Sequence, residues 1–341
     1  MPLNNKIRKL LPLIAIGIGV LSVIASEAKQ SSGQIASINN KKVLISQVVE
    51  HPALDATTKG IIDALDNNGF KRGVNIEIRI ESAQANAALA SQIASKFVNQ
   101  NPDIVVGIGT MSAQSFAKYA ATGKVKLAFS SVTDPLGASL VQTLAKPGNN
   151  TSGVSNFVDL EPQIKLFQQL QPTLKKLGIL YNPGEINSVS IVNKLKELAP
   201  QFGLTITPQT AAKTADVAQA AIKLANSVDA IFISNDNTAL SSFQSIIKAA
   251  NAAKIPVYVS DTDVVTLGAL AALGPNQYNV GLQTGNMIAR SLNGENLSTI
   301  PVEFPKQTEL YINLDAAKIV GVVIPKEILQ TATQTIKNSK E

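Results

Sequence analysis

Short β-branched runs alternate with stretches of helical spacing along almost the whole chain, and this rhythm limits the fold more than any single motif does. VLISQVV at 43–49 is a run of the buried-strand type. Ala53 to Asn68 places Leu54, Ile61 and Leu65 at helical spacing and stops at Gly69. VNIEIRI at 74–80 alternates as a strand, and a helix is predicted from Ala87 to Gln100. The strand DIVVGIG (103–109), a helix from Ser112 to Ala120 and the strand VKLAFS (125–130) complete the first half.

The second half repeats the pattern. Helices are predicted from Glu161 to Leu170, Ser188 to Ala199, Asp216 to Asn226 and Thr238 to Ala253. Between and after them lie the strands LGILYN (177–182), LTITPQ (204–209), DAIFISN (229–235) and IPVYVS (255–260). Corresponding strands sit about 130 residues apart, too long a period for a solenoid. The expectation is α/β: two doubly wound parallel-sheet lobes with right-handed crossovers. A further helix from Tyr278 to Leu292 and extended pieces at 300–313 let the chain cross back, giving a multi-strand hinge. Lobe 1 is expected at 42–154 plus about 275–304, and lobe 2 at 155–274 plus about 305–337.

Composition narrows the chemistry. The 341 residues include no cysteine and one histidine, His51. Disulfides, thiolate catalysis, Cys-type metal sites and any site needing two imidazoles are excluded. No metal and no cofactor is expected. The net charge of +6 is spread over scattered pairs such as Lys41-Lys42, Lys71-Arg72 and Lys175-Lys176, which read as solvated surface and not as a nucleic-acid stripe. Lys6, Arg8 and Lys9 precede an apolar run from Leu10 to Ile24, and Ser26-Glu27-Ala28 offers a small-x-small cleavage site. That is the pattern of a secretory signal peptide over 1–28. The competing reading is a single membrane anchor, for which the apolar run is short.

In open α/β sheets ligands bind outside the carboxyl ends of the strands. The loops there run from Gln47 to His51, Gly109 to Ser112, Ser130 to Asp134, Asn182 to Ser188, Asn235 to Thr238 and Ser260 to Asp263. They are rich in hydroxyls, amides and carboxylates, which orient a small polar ligand by hydrogen bonds. GIGTMS (107–112) has Ser112 where a dinucleotide loop needs its third glycine. The free N–H groups of a helix start there, with the Thr110 and Ser112 hydroxyls, suit a small anion such as a carboxylate, or else these residues only cap the helix. Asp236, in the equivalent loop of the second half, either accepts from a ligand ammonium or caps the helix after it. Asn187 and Ser188 follow an Asn-Pro-Gly turn and either cap or touch ligand. An anion site in one lobe and a carboxylate in the other fit a zwitterion.

HPALD (51–55), PDIVVGIGTMSAQ (102–114), VTDPLGASLV (132–141), YNPGEINS (181–188), SNDNT (234–238), SDTDVVTLGALAALG (260–274) and INLDAAKIVGVVIPKEIL (312–329) occur in that order. In this ordered set the chain resembles the substrate-binding proteins of bacterial ABC uptake systems, in the branch linked to tryptophan, phenylalanine and tyrosine. The resemblance implies a periplasmic binding protein of type I with three interlobe crossings. Ligand would sit between the lobes, and closure would present the protein, a monomer in the periplasm, to an inner-membrane ABC permease. It also implies that Thr110 and Ser112, with Ser131 or Thr133, lie near a ligand carboxylate, Asp236 near its amino group, and Asn187 and Asn156 on the far side. Phe157, Tyr181 and Tyr258 are the aromatics available near the cleft, although strand aromatics more often belong to the core.

His51, beside Glu50 and Asp55, invites an enzyme reading, with an imidazole oriented by a carboxylate. No GxSxG and no His–Glu metal motif supports it, and a nucleophile with a base in reach is what such a reading needs. The expectation is a receptor without chemistry. A sensor presenting its ligand to a membrane receptor would use the same cleft. His51 is then the residue that precedes the first helix, which Pro52 opens, with Gln47 and Glu50 as possible cleft contacts.

Overall fold

The computed structural model describes residues 40–337, and the signal segment expected at 1–28 lies outside them. The first sheet is parallel throughout. It contains β1 (Lys41–Gln47), β2 (Ile76–Ser82), β3 (Ile104–Ile108), β4 (Leu127–Val132) and β5 (Thr151–Ser155), in the order β2-β1-β3-β4-β5. The second contains β6 (Lys176–Tyr181), β7 (Thr205–Thr210), β8 (Ala230–Ile233), β9 (Val257–Val259) and β10 (Ala271–Gly274) in the equivalent order β7-β6-β8-β9-β10. Two late strands extend its edge. β11 (Glu309–Asn313) runs antiparallel to β10, and β12 (Gln334–Ile336) lies beside β11. The duplication read from the sequence rhythm is thus a duplication of sheet topology.

Each sheet is covered on both faces, which is why its central strands are apolar without alternation. In the first lobe α2 (Ala87–Val98) and α3 (Thr110–Ala121) pack one face through Ile93, Phe97 and Phe116. The other face is covered by α1 (Pro52–Asn67) and, from far along the chain, α9 (Gln277–Leu292), through Leu54, Ile61, Val280, Met287 and Ile288. In the second lobe α6 (Val217–Ala225) and α8 (Phe243–Ala253) cover one face. The other is covered by α4 (Leu160–Leu170), α5 (Ile186–Leu198) and α10 (Leu314–Val320). Tyr258 belongs to that core, stacked on Phe167 with ring centroids 4.3 Å apart.

The single helix expected from Thr238 to Ala253 is two, α7 (Asn237–Ser241) and α8, with the break at Ser242, whose backbone leaves helical geometry at φ −120°. Strands β5 and β10 did not register as strands in the sequence. The chain passes between the two cores after β5, between β10 and α9, and between Ile300 and β11. The first and third passages run side by side, with Ser155 N–H donating to Glu303 O and Glu303 N–H to Gly153 O.

Candidate functional site

The strand order reverses between β1 and β3 in one sheet and between β6 and β8 in the other, and the loops leaving those strands face each other. They enclose a cavity of about 10 Å³ lined by His51, Ala53, Leu54, Ser131, Asn156, Asn235, Asn237, Leu240, Asp261 and Gln277. Apart from Ser131, which lies near the carboxyl end of β4 itself, every polar member follows the carboxyl end of a strand or begins a helix there.

Ser131 owes its place to a β-bulge. The β4–β5 register shifts between Ser130 and Val132, and Ser131 itself takes a left-handed φ of +54°. Its hydroxyl donates to Gln277 Oε1 at 3.0 Å and meets Thr57 Oγ1 at 3.1 Å. Gln277, the first residue of α9, donates through Nε2 to Asp261 at 2.7 Å. One amide thus joins α1 and β4 of the first lobe to the β9 loop of the second. Asn235 makes a second bridge, its Nδ2 donating to Thr133 Oγ1 and to Asn156 O, both at 3.3 Å. His51 Nε2 and Asn237 Oδ1, 3.5 Å apart, make a third.

Behind this wall stands a buried carboxylate frame. Glu185 accepts from Asn237 N–H (3.0 Å) and Nδ2 (2.6 Å), and from Thr238 N–H (2.9 Å) and Oγ1 (2.8 Å), so a residue about fifty positions earlier caps α7. Asp236 accepts from Ala239 N–H and Asn182 N–H, each at 2.7 Å. Asn187 Nδ2 donates to Asn235 O at 2.7 Å and fixes that loop from the rear.

Of the residues singled out from sequence, Ser131 and Asn156 line the cavity and Thr133 holds its edge. Thr110 opens α3, with its hydroxyl buried and unpartnered. Asn187 and Asp236 stand one layer back. Ser112 accepts from the Ser46 hydroxyl at 3.2 Å inside the first lobe. Gln47 is bound to Asp55, Thr58 and Val49 O on that lobe's flank, away from the cavity lining. Asn235, Asn237, Asp261 and Gln277 are the cavity residues that sequence reasoning did not select.

Burial sets the charge of the site. Desolvation, with Asp263 adding to it, pushes Asp261 up to about 7 against the Gln277 hydrogen bond. Desolvation and the Glu185 charge push Asp236 up to about 7. Burial pushes His51 down to about 4, which leaves the imidazole neutral near pH 7. A carboxyl with a raised folded pKa keeps a proton that the unfolded chain has already lost, so stability falls as pH rises from about 4 through about 7. His51 acts in the opposite sense, but only below about 6.5, where the unfolded imidazole takes up a proton. The unliganded protein is therefore expected to melt at a lower temperature at about pH 8 than at about pH 6. A thermal scan in which Tm rises over that interval contradicts these protonation states.

The two sheets and their order define a class of fold: two α/β lobes of the type I periplasmic binding protein architecture. The chain belongs to the ABC transporter substrate binding protein family, whose sequence profile matches residues 42–336. It is 36% identical over 325 residues to a tyrosine-binding protein of Clostridioides difficile (strain R20291), covering 93% of each chain. It superimposes on an ABC domain from Streptococcus pneumonia in complex with L-Trp at TM-score 0.82, with 33% identity over 87% of this chain and 100% of that one. Against the ligand-free, open structure of a substrate binding protein with adhesive properties from Clostridium difficile the TM-score is 0.64, with 36% identity over 87% and 99% of the two chains. Members of this family are the extracytoplasmic substrate-binding proteins of ABC transporters.

Proposed function

We propose that the protein is exported to the periplasm by the segment at 1–28 and works there as the monomeric receptor of an ABC importer for an α-amino acid with an aromatic side chain, held between the lobes and handed to a membrane permease. The observation that carries this reading is the polar wall that the carboxyl ends of both sheets turn toward each other, joined across the lobes by side-chain hydrogen bonds that can part to admit a ligand. The carboxylate of the amino acid fits the start of α3, where the first N–H groups of a 12-residue helix and the Thr110 hydroxyl are available. Ala53, Leu54 and Leu240 offer apolar surface to a side chain. Tyrosine and L-Trp in the names of two relatives support the aromatic lean.

Delivery needs the lobes to part. The lobes we assign, 42–154 with about 275–304 and 155–274 with about 305–337, meet at the three passages of the chain. The two receptors compared above differ little in identity to this chain, 33% against 36%, yet their TM-scores are 0.82 and 0.64. Similar divergence with unequal superposition supports a difference in lobe disposition, with this chain in the closed arrangement.

A thermal-shift panel tests the ligand class. At a concentration about 100 times Kd, a ligand that binds only the folded state adds about 2.7 kcal/mol of stability. L-tryptophan or L-tyrosine is expected to raise Tm, while arabinose and myo-inositol leave it unchanged. The reverse result ends the amino-acid reading.

A further inference from the structure

A second hollow lies behind the wall of the cavity. Its volume is about 550 Å³, against about 10 Å³ for the cavity, and the two linings share no residue among those described. The first lobe gives it Thr133, Pro135, Leu136 and Leu144; the second gives it Leu160 and a face of α5 with Ser190, Ile191 and Lys194. Phe157 from the first passage of the chain and Phe304 from the third complete it, and these are the two passages that Ser155 and Glu303 join. One layer of side chains separates hollow and cavity. Thr133, on the lining of the hollow, donates to Asn156 Oδ1 at 3.2 Å and accepts from Asn235 Nδ2 at 3.3 Å, and both amides line the cavity.

The hollow gathers apolar side chains that water still reaches. Leu136 is 45% exposed, Phe157 47% and Phe304 41%. Large apolar side chains exposed singly are ordinary, but a contiguous group of them marks a binding surface. The volume falls within the range of about 300–1,000 Å³ typical of small-molecule sites. The charges on the lining narrow the class of occupant. Lys194 Nζ donates to Glu197 Oε2 at 3.1 Å, and Asp134 accepts from Gly137 N–H at 2.8 Å. Each charged group therefore has a partner already, and none is buried and waiting for a countercharge. What remains is two aromatic rings and the aliphatic surface of Pro135, Leu136, Leu144, Leu160 and Ile191, against which a flat apolar molecule stacks and packs. A zwitterion would find no partner for either of its charges here.

Resting on the lobe assignment and the amino-acid reading above, we propose that this groove is a second binding site, for a small uncharged aromatic molecule, and that its occupancy and that of the cleft strengthen each other. Both lobes build its walls, so the groove is complete only in the lobe arrangement that also encloses the amino acid. A molecule seated in it favours that arrangement, and the coupling is reciprocal.

The test uses N-phenyl-1-naphthylamine, an uncharged aromatic dye that brightens in apolar surroundings, titrated into the full chain. Saturation at one dye per chain is expected. Phe157→Ser and Phe304→Ser are each expected to weaken the dye about tenfold, the effect of removing one ring contact. Both positions are exposed, so Tm should stay near that of the wild type. Saturating L-tryptophan or L-tyrosine is expected to tighten the dye about fivefold or more. Displacement of the dye by the amino acid would place it in the cleft and overturn the proposal. So would dye binding that neither Phe variant weakens, or no saturable dye binding at all. Sedimentation showing a wild-type dimer that Phe157→Ser breaks would assign the groove to a second copy of the chain and overturn it as well. An amino acid that binds without changing the affinity for the dye overturns the coupling. If neither amino acid binds, the amino-acid reading fails, whereas weakened dye binding in the two Phe variants still establishes the groove as a site.

Discussion

Gly281→Ala is expected to destabilise the protein by about 3 kcal/mol and to weaken ligand binding with it. A Cβ at this position would be driven onto the Thr57 carbonyl oxygen and to 3.0 Å from the Gly60 Cα. Gly60 faces back onto the Tyr278 carbonyl, and a Cβ on Gly285 would come within 2.6 Å of both Ile61 O and the Ala64 Cβ. Helices α1 and α9 therefore touch backbone to backbone along a row of glycines, and no rotamer change can absorb the added methyl group. The helices must part. Thr57 and Gln277 lie on these two helices and hold Ser131 and Asp261, so the displacement reaches the cavity. Urea unfolding should show a lower midpoint with an unchanged m-value. Asn279→Ala, at an exposed position of the same helix, should stay within about 0.5 kcal/mol of wild type.

Glu185→Ala is expected to cost about 3 kcal/mol or more, because it strands buried donors that have no water to turn to. Two backbone N–H groups of α7, the Asn237 amide and the Thr238 hydroxyl lose their acceptor together. Loss of one charge beside Asp236 offsets part of this, which is why Glu185→Gln, isosteric but uncharged, should fall between wild type and Glu185→Ala. The binding loop depends on the same frame, so Glu185→Ala should also bind L-tryptophan or L-tyrosine more weakly in titration. A change in stability below about 1 kcal/mol would mean that α7 does not need this cap.

The large-scale architecture was legible because buried parallel strands need continuous apolar runs. VLISQVV, DIVVGIG and DAIFISN announce themselves in this way. β5 (TSGVS) and β10 (AALG) do not, since they are built of small and hydroxyl residues. They are strands because of what covers them; the Ser152 hydroxyl, for instance, donates to Ile300 O at 2.7 Å. The loops of the site were legible too, from the rule that ligands gather at the carboxyl ends of strands.

Which side chain of each loop faces inward was harder to read. In Asn235-Asp236-Asn237 the backbone at Asp236 is extended, with φ −91° and ψ 111°. Alternate side chains then share a side, so Asn235 and Asn237 reach the cavity while Asp236 turns back to cap α7. The preference of Asp for N-cap positions carried that information and could have been weighted above its charge. Gln277 left no local signal. Its role comes from a helix that returns to the first lobe about two hundred residues after α1, and only tertiary contact places it between Ser131 and Asp261. His51, the lone histidine that first suggested catalysis, turns out to be a neutral acceptor on the cavity wall.

The central claim is that one amino acid is enclosed between the two lobes. Calorimetric titration of the protein freed of bound ligand tests it most directly, with L-tryptophan and L-tyrosine run against arabinose. The account predicts saturable binding of at least one of the amino acids, at one molecule per chain, and no heat from the sugar. Saturable binding of arabinose with neither amino acid bound would contradict it.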